Sequence, residues 1–466
     1  MELIIPFDSQ SESPLYEQIY QYIKDEIRSG RLGAGSRLPS TRVLAQNLKV
    51  SRSTTQMAYD QLLSEGYIEA LPCKGYYVCK IEELVEVRQK PQGSFEVEKD
   101  RDSQRFEVDF SPRGIDLESF PFNTWRKLSR NTLVDDNKDM FDVGNPQGER
   151  SLRVAIGAYL HSARGVDCSP EQILIGAGSE YLLILLSQIL GNDLGIAMEN
   201  PTYKQAYRVL TGEGYRVVPV GMDRYGMDME KLQASGAQAA YVMPSHQYPT
   251  GIVMPVKRRQ ELLAWAYSGQ GRYLIEDDYD SEFRYKGKPI PALQGMDRGG
   301  RVIYMGTFSK SIAPAIRIGF MVLPEHLMEV YREKAGFYAS TVSRIDQNIL
   351  YQFITQGYYE RHLNRMRAVY KGKHDVLLAG LKELEDRFVI RGEYAGLHVL
   401  LTYRWGGSEK ELVDQAAGAG VKVYGMSDCF IHPEKNIYPS TVMLGYARLS
   451  EKEIEKGTGL LNRAWK

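Results

Sequence analysis

The chain has 466 residues, 43% hydrophobic and 25% charged, with a formal net charge of −1 at pH 7. That length implies two or three folding units, and the composition excludes a disordered or collagen-like chain. The near-zero charge excludes whole-chain attraction to nucleic acid or an anionic membrane, so any such binding must come from a local patch. The four cysteines, Cys73, Cys79, Cys168 and Cys429, are scattered without a zinc-like second pair and read as free thiols in a reducing cytoplasm. "MELIIPFDSQ" lacks a basic signal-peptide start, and the longest apolar run, "YLLILLSQIL", falls short of a bilayer span. A cytoplasmic protein with no membrane partner and no metal is expected.

Leu15, Ile19, Ile23 and Ile27 recur every fourth position between Pro14 and Gly30, the stripe of an amphipathic helix. Ser40 then caps a second helix with Val43, Leu44 and Leu48 inward, and Ser51 caps a third with Ala58, Leu62 and Leu63 inward, ended by Gly66. "YIEALPCKGYYV" alternates like two strands around a turn. Three helices and a hairpin make a winged helix-turn-helix over residues 1–79. Arg28, Arg31, Arg37, Arg42, Lys49 and Arg52 fall between Arg28 and Tyr59 without one acidic residue, the local charge that a phosphate-facing surface requires. Ser51, Arg52, Ser53, Thr54 and Gln56 crowd the start of the third helix, the end that enters the major groove in helix-turn-helix docking. Arg pairs with guanine, Gln with adenine and hydroxyls with phosphates, while Lys74 and Gly75 at the hairpin tip suit a wing on the backbone. Topology alone leaves open a protein-contact module with a solvated basic face.

Residues 80–108 are charge-rich and aperiodic and read as a linker. From 109 to 466 the pattern changes. "QILIGAG", "LGIAMEN", "AAYVMP", "RYLIEDDY" and "VIYMGTF" are short β-rich runs alternating with helical sequence, as in a largely parallel sheet covered on both faces. Ligands of such sheets sit at the carboxyl ends of the strands, where Gly, Asp, Ser and Lys collect here. From about residue 359 a basic helix and "YAGLHVLLTY", "VKVYGM" and "VMLGYARLS" read as a smaller α+β domain.

Four features of the body point to one cofactor. Lys310, in "GTFSKSIAPAIRIG", is a Schiff-base candidate, and Thr307, Ser309 and Arg317 around it offer hydroxyls and a guanidinium to a phosphate. "IGAGSE" opens a helix after a strand, so the backbone N–H groups around Gly178, Ser179 and Glu180 form an anion site. "YLIEDDYDSEF" ends a buried strand with carboxylates, of which Asp277 is placed to pair with a pyridinium nitrogen, and Tyr279 to donate to a ring phenolate. Tyr203, in "ENPTYKQAY", is the candidate to stack on the ring. Together these are the needs of pyridoxal 5'-phosphate, PLP. Each alone has an ordinary reading as a surface lysine, a turn or a solvated strand end; their order and separation carry the assignment.

"LPSTRVLAQNLKVSRSTTQMAYDQLLSEGYIEALPCKGYYV" closely resembles the head of GntR-type bacterial regulators. By that resemblance Ser40, Thr41, Arg42, Ser51, Arg52, Thr54 and Lys74 are DNA contacts. "GNPQGERSLRVAIGAYL", "IGAGSEYLL", "ENPTY", "PSHQYPTG", "IEDDYDSEF", "GTFSKSIAPAIRIG" and "GYARLS" occur in the order and approximate spacing of fold-type I aminotransferases, over roughly 109–466. The combination resembles the MocR/GabR subfamily. It implies a multidomain chain: an α+β winged head, then an α/β fold-type I aminotransferase-like domain with a smaller C-terminal α+β domain. It further implies operator DNA as partner, PLP on Lys310, a small amino-compound effector or PLP itself, and a head-to-tail homodimer. Arg448, in "GYARLS", matches the arginine that holds a substrate carboxylate.

Two departures weigh against efficient transamination. Tyr248 stands before Pro249, Thr250 and Gly251 where catalytic relatives carry Asn, and Tyr279 follows its Asp at a shorter spacing than in most of the enzymes. Gln205 replaces the second arginine of the γ-aminobutyrate sensor, so that effector is not favoured. Two alternatives stay open: a working aminotransferase with a DNA-binding head, and a body that only dimerises.

Overall fold

The fourfold apolar spacing near the N-terminus becomes helix α1 (Leu15–Arg28), which buries Ile19, Ile23 and Ile27. Leu15, in the first turn, remains exposed. Helices α2 (Thr41–Leu48) and α3 (Arg52–Ser64) start at the expected caps: Ser40 Oγ accepts from Val43 N at 3.2 Å and Ser51 Oγ from Thr54 N at 3.1 Å. The inward faces differ from expectation in detail. Val43 is exposed and Ala45 buried beside Leu44, because the contact with α3 falls one position later on the helix; Thr55 and Tyr59 join Ala58 and Leu62 in the core, whereas Leu63 is half-buried. Thr55 Oγ1 donates to Thr41 O at 2.9 Å and Tyr59 OH to Pro39 O at 2.9 Å, tying α3 to the start of α2. Strands β1 (Ile68–Leu71) and β2 (Gly75–Val78) form the antiparallel wing. Residues 35–38 pair along its other edge, with Leu38 N donating to Tyr76 O and Val78 N to Ser36 O.

The computed structural model describes residues 3, 5–7, 13–72, 74–80, 106–285, 290–392, 395–432 and 438–466. It divides into two units, Met1–Ser103 and Gln104–Lys466. Cys73 and most of the expected linker lie outside the described residues. The body starts earlier than residue 109: β3 (Val108–Asp109) pairs with a strand near the C-terminus, and Glu107 N donates to Gly420 O at 2.8 Å.

All five β-rich runs of the body become strands of one sheet: β4 (Ile173–Gly176), β5 (Gly195–Asn200), β8 (Ala239–Val242), β9 (Tyr273–Asp278) and β10 (Val302–Thr307). Three further strands, β6 (Arg216–Asp223), β7 (Gly226–Met227) and β11 (Gly319–Val322), complete the order β4-β11-β10-β9-β8-β5-β6-β7. From β10 to β6 the pairing is parallel; β11 is antiparallel to both neighbours, since the chain returns from β10 without a crossover helix. Helices Ser179–Leu190, Lys204–Gly212 and Glu325–Lys334 share one apolar core with the sheet, and helices Arg150–Arg164 and Arg344–Thr355 share another.

Beyond the helix Tyr358–Leu381 the smaller sheet has the order β12-β13-β16-β15, with β12 (Phe388–Arg391), β13 (His398–Tyr403), β15 (Tyr424–Gly425) and β16 (Thr441–Gly445). The partner of β3 is β14 (Val421–Lys422). Val108 and Phe110 are therefore buried in the core of the C-terminal part, far from it in sequence.

Candidate functional site

Strands β9 and β10 run parallel with Asp277 opposite Met305 and Asp278 opposite Gly306. Asp277 thus reaches its strand end beside the turn that carries Thr307, Ser309 and Lys310. Alternation along β9 separates its carboxylates. Asp278 accepts from Arg164 Nε at 2.8 Å and Tyr304 OH at 2.6 Å, while Asp277 Oδ2 accepts from Tyr241 OH. Where β4 ends, Gly178 turns the chain at φ +90° and the helix Ser179–Leu190 opens. A Cβ on Gly178 would stand 2.7 Å from Arg317 Nη2, so the guanidinium occupies space that only glycine leaves. Arg317 donates from Nη2 to Ala177 O at 3.0 Å and to Glu180 Oε2 at 2.8 Å. Thr307 Oγ1 donates to Ser309 Oγ at 2.9 Å.

These strand ends enclose a cavity of about 530 Å³, lined by Ser179, Glu180, Tyr203, Asp277, Tyr279, Thr307, Ser309, Lys310 and Arg317. The expected cofactor set is therefore assembled around one space, with Gly178 behind Arg317. Arg448 is not part of it. Arg448 is exposed, its base packed where Gly114 lacks a side chain. Arg113, Lys204, Gln205 and Arg208 line the cavity instead.

Several partners escaped the sequence. Lys310 Nζ donates to the carbonyls of Pro112 and Arg113 at 3.0 and 3.1 Å, a contact with the start of the body that no periodicity announces. The Tyr279 hydroxyl lies 3.1 Å from His246 Nδ1, which lies 3.0 Å from both oxygens of Asp280. His246 stands in "PSHQYPTG", so the motif offered a signal for it. Tyr248 meets the Tyr203 ring edge-on at 6.0 Å and His398 at 5.5 Å. Cys429, buried, lines the same wall.

Burial lowers Lys310 to about 8, with Asp280 opposing and Arg113 adding to the shift. Burial raises Asp277 to about 6 against the Tyr241 hydrogen bond, which favours ionisation. The two shifts fit a basic ring nitrogen and an aldehyde: a carboxyl short of a cationic partner, and an amine near its neutral form. Burial raises Glu180, but its Arg317 hydrogen bond wins and holds the carboxyl below the usual range.

In the head, Arg42, Ser51, Arg52, Ser53, Lys74 and Gly75 are exposed or half-buried, as are Ser40, Thr54 and Gln56. Thr41 is buried and has little side-chain surface to give to a phosphate. Ser51 Oγ also lies 2.7 Å from Ser53 Oγ and 2.8 Å from Thr54 Oγ1, and Gln56 Nε2 donates to Asp60 at 2.8 Å. Arg37, beside the wing, approaches the Cβ position of Gly75 to 3.6 Å. Among the described residues no group of three or more His, Cys, Asp or Glu could hold a metal, and no helix is long and apolar enough to cross a membrane.

Residues 15–78 match the family of bacterial regulatory proteins, gntR family, and residues 116–456 match aminotransferase class I and II. The chain is 39% identical to the uncharacterized HTH-type transcriptional regulator YdeL of Bacillus subtilis, over 99% of each. It is 32% identical to the "Probable rhizopine catabolism regulatory protein MocR" of Rhizobium meliloti, over 99% of this chain and 96% of that one. The multiple substrate aminotransferase of Thermococcus profundus superposes with a TM-score of 0.69 at 26% identity, over 78% of this chain and 92% of that one. A winged head with a local basic face, and a body whose sheet gathers a lysine, an acid and an anion cradle, thus occur together in one chain: it belongs to the MocR-like HTH-type transcriptional regulators, DNA-binding proteins in which a GntR domain precedes an aminotransferase class I and II domain.

Proposed function

We propose that the regulator holds PLP in the 530 Å³ cavity and answers to a small amino compound that reaches it there. The observation that carries this reading is the convergence of Lys310, Asp277 and the Ser179, Thr307, Ser309 and Arg317 donors on one space. Bound there, PLP supplies an aldehyde that condenses with primary amines and a ring that absorbs visible light. Arg317, the hydroxyls and the helix N-terminus would hold its phosphate, Asp277 its ring nitrogen, Tyr279 its ring oxygen, and Tyr203 its face. Lys310, lowered to about 8, gives up its proton more readily than a solvated lysine, and the Pro112 and Arg113 carbonyls orient it.

An effector's carboxylate needs a guanidinium inside the cavity. Arg113 and Arg208 line it, whereas Arg317 is engaged by Glu180; they replace Arg448 in that role. An effector alters DNA binding only by as much as it prefers one arrangement of the protein. The regulator acts on operator DNA as a head-to-tail homodimer whose two heads read two half-sites. In the head, Ser40, Arg42, Arg52, Ser53 and Lys74 supply the phosphate and base contacts, with Thr41 offering only its backbone.

The test is the visible spectrum of the purified protein with added PLP, titrated with a panel of amino acids, with Lys310→Ala as control. The expected result is a lysine-dependent band that one amine shifts and holds even with a keto acid present. Its rate of formation should rise with pH around about 8 rather than the ordinary lysine value of about 10.4. Repeated amino-group transfer would make the body a working aminotransferase, and a colourless protein would remove PLP.

A further inference from the structure

The loop that follows β9 also lines a second cavity, of about 190 Å³, walled by Tyr159, Arg164, Ser281, Glu282, Arg284 and Arg367. Three guanidiniums meet there, and their pairing differs. Arg164 is neutralised, since its Nε donates to Asp278 and its Nη groups reach Ile290 O and the Ser245 hydroxyl. Among the described residues Arg367 donates only to uncharged acceptors, the Glu282 carbonyl at 2.7 Å and the Asn364 side chain at 2.9 Å. Arg284 keeps a buried Nε with no hydrogen-bond partner among the described residues. Buried donors of this kind are normally satisfied, and Arg284, which carries this unpaired one, is itself part of the cavity wall.

The negative charge available in the wall is weak. Glu282 is its one carboxyl, and Oε1 already accepts from Tyr159 OH at 3.2 Å and Tyr359 OH at 3.4 Å. Burial pushes that carboxyl up to about 7, with Asp278 adding to the shift and Arg164 opposing it. The wall therefore carries excess positive charge at neutral pH. Its volume exceeds that of one water, about 30 Å³ in the liquid, several times over, enough for a tetrahedral oxyanion.

We propose that this cavity is a second ligand site of the regulator, which takes a small oxyanion of the phosphate or sulfate type between Arg284 and Arg367. Guanidiniums favour such anions because their N–H groups fit two oxygens at once. The site is separate from the cradle around Arg317 and does not depend on PLP.

Sulfate is the probe, because its charge stays constant across neutral pH, with ionic strength held constant by chloride. Isothermal titration uses the full chain carrying Arg317→Gln, which removes the guanidinium of the proposed phosphate cradle and leaves Arg113 and Arg208 in the main cavity. That protein should bind one sulfate. Adding Arg284→Gln and Arg367→Gln should weaken binding by about tenfold or more, and adding Glu282→Gln instead should tighten it by about threefold through removal of a like charge. Thermal unfolding without sulfate separates a binding defect from a folding defect; if the combined variant is unfolded, Arg367→Gln alone, at a half-buried position, carries the same test. Absence of binding in the Arg317→Gln protein, or binding that survives removal of the two arginines in a folded chain, overturns the proposal.

Discussion

Asp277 is buried in a cavity wall, and among the described residues only the Tyr241 hydroxyl is hydrogen-bonded to it, which explains its charge state. Its folded value, about 6, lies above the unfolded value of about 3.9, so the folded chain binds the extra proton. Stability contributed by that proton is present below about pH 4 and lost as pH rises through about 6. The amount is on the order of 1–3 kcal/mol. Glu199, Glu276 and Glu282, each raised to about 7 by burial, add losses in the same direction. Asp277→Asn in the PLP-free protein should therefore melt like wild type near pH 4 and at a higher temperature above pH 6. Equal melting at both pH values would mean that Asp277 ionises freely. Lys310 and Asp277 were legible in the sequence because motif order marks them. Tyr241, His246 and Asp280 were less so, since their hydrogen bonds depend on where neighbouring chain segments come together.

At the scale of elements, the turn between β4 and the helix Ser179–Leu190 and the loop between β10 and β11 together make the proposed anion cradle. Gly178 is the position where they touch. Gly178→Ala places a methyl 2.7 Å from Arg317 Nη2 on a backbone with φ +90°. The expected outcome is a folded protein with a displaced guanidinium and PLP affinity lower by about tenfold to a hundredfold, from on the order of 1–3 kcal/mol of strain. Spectrophotometric titration with PLP measures it, and unchanged affinity would take Arg317 out of the cradle. The three helices of the head were legible as elements, α1 from its apolar spacing and α2 and α3 from the Ser40 and Ser51 caps, although not every inward-facing position was. Strands β6, β7 and β11 were not. β6 carries Pro219 and Gly221, β7 is two residues long, and β11 follows the Lys310 loop without a helix to separate it.

For the whole molecule, a net charge of −1 gives no attraction of the chain at large to DNA, so the proposed contact must rest on a local face such as the basic one of the head. Arg42 and Arg52 are exposed, and neither is held by a carboxylate among the described residues. Binding of mixed-sequence duplex DNA, followed by fluorescence anisotropy against salt, should weaken in Arg42→Ala and in Arg52→Ala. The log–log slope should fall by about one for each phosphate that the variant no longer neutralises. A slope unchanged in both variants would move the DNA-facing surface elsewhere on the head.

Local patterns in the sequence determined the winged head, the strands that alternate with helices in the body, and the cofactor-type residues gathered at their ends. Each of these rests on spacing within some tens of residues. Tertiary structure decided the rest. It left Arg448 out of the cavity lining, brought Arg113 and Arg208 to the cavity, and buried Phe110 among residues about three hundred positions later in the chain. It also left the Arg284 Nε without an acceptor among the described residues, in the same cavity wall as Arg367. Such outcomes depend on which faces meet when separate elements pack, and no local periodicity encodes that meeting.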